Sequence, residues 1–351
     1  MKHVFVIGSH TQYLTSLGVI SKLGIEKEEI IFVFGRNYKC DIIKTDYISF
    51  DISDKFYIYY KNNTRKKIRK HILWLDTFID NNISENYCLY IPHLKFSTFQ
   101  VFATHPHCSD VKFIQEGIVD FCVPEGTKPK FDYRDIYIWG WLLRGTRLWK
   151  TAGWNYPSKL RFGISETFSI TDKLFQLMNC KHTVVQWPVV DTGIQIEKDS
   201  TIFVFESAVE RKDIEKENFM SSTRLLIEKY GRTNNYIKFH PYQTKENKED
   251  ILSLFTSKEL KVKELPDNIP FELILCSKEK YRVCGFTTSL VYFAYLLGHE
   301  AHICGTTLLS SCKFQQYWKN FSSHLISCYG DIFKNEDLNK YNTKSVLGFD
   351  Y

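Results

Sequence analysis

An α/β chain with two parallel-sheet lobes is the fold class this sequence predicts. Short runs of β-forming apolar residues end at glycine or polar loops, helix-period segments separate them, and the rhythm occurs twice along 351 residues. Length suits two ordinary domains, and 44% hydrophobic with 16% aromatic residues provides for a sizeable core.

The elements follow in order. Residues 3–8 are an apolar strand ending at Gly8-Ser9, followed by a helix from Thr11 to Leu23 and a strand from Ile30 to Phe34 that stops at Gly35-Arg36. The period of Leu73, Leu75 and Phe78 predicts a helix over 64–78, and 87–91 and 111–114 read as strands, the second running into Gln115-Glu116-Gly117. Residues 126–165 are irregular and rich in Trp and Arg (Trp139, Trp141, Arg144, Arg147, Trp149, Trp154), which suits either a membrane-interface element or helices packing two domains. In the second half, strands are expected at 183–185, 201–205, 236–239, 260–263, 282–285 and 300–304. Helices are expected at 215–230, 248–255, 269–276 and 289–297, the third opened by Pro270 and the last closed by Gly298. The expected domains are 1–165 and 166–351.

Composition excludes several classes. With 46 Lys+Arg against 40 Asp+Glu, the chain carries +6, too dispersed for a nucleic-acid protein but suited to an anionic substrate. The basic run Arg65 to His71 reads as a solvated helix face. Ten cysteines sit singly, without a C-x-x-C pair, as buried thiols of a reducing compartment do. Cys180 with His182, and His105, His107 with Cys108, lack a second pair at zinc spacing, so no metal is expected. The N-terminus is too short for a signal h-region, and no run of about 18 apolar residues suggests a membrane span, so a cytoplasmic protein is expected.

Four segments carry candidate chemistry. Lys238-Phe239-His240-Pro241 closes a strand, where ligands of open α/β sheets lie, and puts a cation and an imidazole there. A protonated His240 beside a phosphate would stabilise a leaving group, though a capping histidine looks the same. Thr287-Thr288-Ser289 lies between a strand and a helix, as an anion site or a plain N-cap. Glu272, in a first turn, favours the helix dipole or holds ribose hydroxyls. Glu116, at a turn that Gly117 permits, is a candidate general base.

In order and spacing these motifs, with the Gly8 to Gln12 loop, resemble the bacterial sialyltransferases and polysialyltransferases, most of all the lipooligosaccharide enzymes. The resemblance implies a GT-B fold, two Rossmann-like lobes with the active site in the cleft between them. It implies metal-independent, inverting transfer of sialic acid or a related nonulosonic acid from a CMP-sugar to a glycan acceptor such as lipooligosaccharide or capsule. There is no cofactor, and peripheral contact with the inner membrane is compatible. By the same resemblance His240 and Glu116 are catalytic. Lys238, His240, Pro241, Glu272, Thr287, Thr288 and Ser289 bind the nucleotide, and Ser9, Thr11 and Gln12 face the sugar or acceptor. One departure is plain: the family has two acidic residues before its glycine, and here the first is Gln115. Glu206, Glu210 or Asp213 is the alternative base. A CDP-alditol phosphotransferase of the teichoic-acid type shares Lys-x-His-Pro, but carries Asp before its serines where this chain has Cys284-Gly285-Phe286. A non-catalytic surface module is the third reading.

Overall fold

The computed structural model describes residues 1–39, 43, 46–56, 64–94, 96–117, 163–176, 178–286 and 289–303. The Trp/Arg-rich segment, Thr287 and Thr288 lie outside them. The chain forms two compact units, Met1–Pro188 and Val189–Tyr351.

In the first unit the elements are β1 (Lys2–Ile7), α1 (His10–Leu23), β2 (Ile30–Phe34), β3 (Ile48–Asp51), α2 (Ser53–Phe56), α3 (Arg65–Asn82), β4 (Tyr87–Ile91), α4 (Ser97–Thr104), β5 (Cys108–Ile114), β6 (Glu166–Ser169) and β7 (Lys181–Val184). Among the described residues they make a seven-stranded parallel sheet in the order β3-β2-β1-β4-β5-β6-β7. Central strands read as unbroken apolar runs because both faces are covered. Val4 and Val6 pack with Val33, Leu89 and the Leu75/Ile79 stripe of α3, while Phe5 and Ile7 pack with Tyr13, Phe32 and Tyr90 on the other face. Ser9 caps α1 and Gly24 ends it at φ 62°. Residues 166–188, expected in the second domain, belong here: β6 pairs with β5 and β7 with β6.

The second unit contains β8 (Thr201–Val204), α5 (Lys216–Tyr230), β9 (Asn234–Lys238), α6 (Lys245–Thr256), β10 (Lys261–Glu264), α7 (Phe271–Leu275), β11 (Arg282–Gly285), α8 (Ser289–Leu296) and β12 (Glu300–Ile303). The described strands form a five-stranded parallel sheet, β10-β9-β8-β11-β12. Phe203, Phe205, Phe219, Ile237, Phe255 and Cys284 are among its core residues. Two Rossmann-like parallel-sheet units in one chain are the GT-B class of architecture that the sequence predicts.

Candidate functional site

Strand order reverses between β1 and β4 in the first sheet and between β8 and β11 in the second. In open parallel sheets, ligands lie outside the carboxyl ends of the strands at such reversals. Both edges carry the chemistry the sequence singles out.

On the first sheet, the ends of β1, β2, β4 and β5 converge on Glu116. Its Oε1 accepts from Gln12 Nε2 at 3.0 Å and Arg36 Nη1 at 3.2 Å, and its Oε2 lies 3.0 Å from His93 Nε2. Gln12, buried in the first turn of α1, is itself oriented by the Gly8 amide, 2.6 Å from its Oε1. Gly8 leaves room for the Arg36 side chain, since a Cβ there would stand 2.6 Å from Arg36 Cδ and push it aside. Arg36 and Asn37 hold φ of 61° and 55°, a left-handed pair costing on the order of 1 kcal/mol or more per residue. The turn directs the guanidinium back across the edge. His93 is buried, with its ring edge-on to Phe96 and Phe99. The result is a half-buried carboxylate with an imidazole on one oxygen and a guanidinium on the other, an arrangement able to take up and return a proton.

Of the residues expected to face the sugar or acceptor, only Gln12 reaches this group. Ser9 Oγ caps α1 by accepting from the Gln12 amide at 3.4 Å, and Thr11 is buried within the helix. Gln115 is fully buried, accepts from Ile170 N at 3.0 Å and donates to the Gly117 carbonyl at 2.9 Å. It is a strut between the ends of β5 and β6. Period-2 alternation leaves Glu116 for the edge.

On the second sheet, the Lys-x-His-Pro motif divides its labour. Lys238 is buried, and its ammonium donates to the carbonyls of Pro266 at 2.5 Å and Ile269 at 2.9 Å. Burial lowers its pKa, against the opposing pull of Asp267 and Glu272. Expected at the nucleotide, Lys238 instead anchors the loop that leads into α7. His240 lies two residues beyond β9. Its Nδ1 accepts from Tyr242 N at 3.2 Å, which leaves the ring hydrogen on Nε2. Burial and the nearby Arg211 charge lower its pKa, which favours the neutral ring over the imidazolium that the sequence suggests. Pro241 heads the turn that Gln243 closes on the His240 carbonyl and amide.

The three alternative bases are engaged in the loop after β8. Arg211 Nη2 meets Glu206 Oε2 at 3.1 Å and its Nε meets Asp213 Oδ2 at 2.7 Å, while Glu210 Oε1 accepts from Thr244 N and Asn247 Nδ2, fixing the start of α6. Burial raises the pKa of Glu206 against Arg211, and burial raises that of Glu272 in the first turn of α7. Ser289 opens α8. His93 and Arg36 had no assigned role in the sequence. The signal was that each follows a predicted strand end, at Ile91-Pro92 and at Gly35.

No family model and no curated protein matches this chain. Among solved structures, the Staphylococcus aureus MnaA–UDP co-structure is similar at 14% identity, covering 99% of this chain and 98% of that one, with a TM-score of 0.50. UDP-GlcNAc 2-epimerase from Methanocaldococcus jannaschii is similar at 12% identity, covering 96% and 94%, with a TM-score of 0.51. These similarities establish the fold. They also correct the sialyltransferase resemblance: the structures that share the architecture over nearly the whole chain carry UDP or are named for UDP-GlcNAc. Transfer from a CMP-sugar, the CMP-sugar donor as partner and the CDP-alditol alternative all give way. The physical reason lies in the motif. Half of Lys-x-His-Pro serves the fold, because Lys238 is spent on the Pro266 and Ile269 carbonyls, and the remaining histidine does not distinguish one nucleotide from another. Among the described residues no helix is long and apolar enough to cross a membrane.

Proposed function

We propose that the protein is a nucleotide-sugar enzyme acting on a UDP-linked hexosamine, with UDP as the leaving group. The observation that carries this reading is the Glu116–His93–Arg36–Gln12 group at the strand-order reversal of a fold shared with UDP-binding sugar enzymes. Cleavage of the anomeric C–O bond leaves its electron pair on the diphosphate, and the Nε2–H of His240 is a neutral donor suited to that charge. Glu116, oriented by Gln12 and Arg36 and paired with His93, takes the proton from the sugar or from the attacking hydroxyl.

The test is incubation of the purified chain with UDP-GlcNAc, following UDP release and formation of the C2 epimer by NMR. Glu116→Gln keeps the size and the acceptor of the side chain, and is expected to lower turnover by roughly 10²–10⁴ while leaving Tm nearly unchanged. Absence of turnover together with a Tm indifferent to UDP overturns the reading.

A further inference from the structure

The opposite edge of the first sheet carries a second cluster that the reaction does not use. Asp80 is in the last turn of α3, and His105 and His107 flank the turn between α4 and β5. One ligand atom from each lies within 4.8 Å of the other two. The turn is held in place: Cys108 N donates to the His105 carbonyl, and Tyr87 N donates to the His107 carbonyl, both at 2.9 Å.

The distances are informative. His105 Nε2 and His107 Nε2 stand 3.4 and 3.5 Å from Asp80 Oδ1. Good N–H···O hydrogen bonds span about 2.7–3.2 Å, so both pairs are long for direct pairing. Two ligands on one tetrahedral Zn²⁺, each bonded at about 2.0–2.1 Å, stand about 3.4 Å apart. The nitrogen–oxygen separations therefore match the edges of a coordination tetrahedron. Two imidazoles and a carboxylate are also a recurring ligand set for zinc, with water in the fourth position. His105 is buried, its ring centroid 5.1 Å from that of His107, whereas His107 and Asp80 are exposed enough to admit an ion from solvent.

We infer that Asp80, His105 and His107 form a binding site for a zinc-type divalent cation. The ion clips the end of α3 to the α4–β5 turn and stabilises the first unit. It takes no part in the chemistry at Glu116, which lies at the other end of β5, on the order of 20 Å away for a strand of this length. Neighbouring Cys108 is outside this ligand set, its Sγ donating to the Asp110 carbonyl at 3.4 Å. Binding through Nε2 moves the His105 hydrogen to Nδ1, which now accepts from His107 N at 3.3 Å. Giving up that long contact weakens the site relative to a closed structural zinc site, so micromolar affinity is expected.

The experiment is titration of the tag-free, EDTA-treated full chain with ZnCl₂ by calorimetry, with a parallel Tm series. One equivalent of Zn²⁺ and a rise in Tm are expected, with Mg²⁺ having no effect. His105→Gln alters a buried side chain, so the surface variants Asp80→Asn and His107→Gln carry the test. Each should lower Zn²⁺ affinity at least 10-fold with the metal-free Tm little changed, and Cys108→Ser should leave affinity unaltered. No Zn²⁺ binding, binding unaffected in both surface variants, or preference for Mg²⁺ would each overturn the inference. None of these outcomes depends on UDP-sugar turnover.

Discussion

Lys238 and His240 are two residues apart, and the structure gives them separate duties that one crossed experiment can distinguish. Lys238→Met keeps the aliphatic stem and removes the ammonium. The carbonyls of Pro266 and Ile269 then lose their donor. Hydrogen bonds from a charged group contribute about 1.5–3 kcal/mol each, and relief from burying the charge returns part of the sum. A net loss of roughly 2–4 kcal/mol is expected, equivalent to a fall in Tm of about 5–12 °C for a unit of this size. His240→Asn behaves oppositely. Its side-chain oxygen takes the place of Nδ1 as acceptor for Tyr242 N, so the turn survives and stability changes by about 0.5 kcal/mol or less. The Nε2–H is gone, and with it one donor to the diphosphate, so UDP affinity should drop about 10-fold. The assays are urea unfolding and UDP titration at a temperature where both variants are folded. If Lys238→Met keeps its stability and loses UDP binding, the anchoring role assigned to this lysine is refuted.

Three further outcomes follow from named contacts. Gln115→Glu would supply the acidic pair that the sequence lacks, but it faces a buried carboxylate towards the Gly117 carbonyl; a loss of several kcal/mol and no gain in turnover are expected in unfolding and rate measurements. Gly35→Ala would drive a methyl group into the buried ring of Phe56 and shift the neighbouring Arg36; a loss of about 1–3 kcal/mol in Tm-derived stability, with slower turnover, is expected. Burial holds the pKa of His10 at about 4 and, with help from Lys55, that of His71 at about 4, so the folded state binds fewer protons than the unfolded one between pH 4 and 6.5. Stability of the first unit should therefore be fully present above pH 6.5 and fall towards pH 4, by roughly 2–3 kcal/mol for His10 and by less for His71, which solvent screens more, and His10→Gln should flatten the Tm–pH curve.

Much of the fold is legible because its central strands are buried on both faces. β2 and β4 begin and end where their apolar runs do. The missed elements lack that signature. β3 is an exposed edge strand, and α4 is buried on nearly all sides with polar Ser97, Thr98 and Gln100 among its buried residues, so neither shows a stripe. β6 reads Glu-Thr-Phe-Ser, and all four residues are buried. Its acidic residue is tolerated because Lys112, Lys181 and Thr183 all reach Glu166, at 3.1, 2.7 and 2.6 Å. Those partners come from the strands on either side, so no local pattern reveals them, and β6 and β7 fall in the unit Met1–Pro188 although they follow residue 165.

The site divides along the same line. Single strand ends are readable, but the company they keep is not. His93 and His240 each lie two residues past a parallel strand, next to a proline, and the sequence marks only the second because a lysine precedes it. The structure reverses the emphasis. The lysine turns inward, while His93 meets a carboxylate 23 residues away along the chain. What separates the two imidazoles is the partner of the ring. An amide on Nδ1 leaves the His240 hydrogen on Nε2, where the proposed function needs a donor to the diphosphate. A carboxylate on Nε2 gives His93 a resident negative charge, fitted to passing a proton. Gln115 belongs to the same logic. An acid at position 115 would face the Gly117 carbonyl and not Gln12, Arg36 or His93, whereas the amide there both donates to that carbonyl and accepts from Ile170 N. Strand register, more than motif identity, therefore decides which acidic position can act.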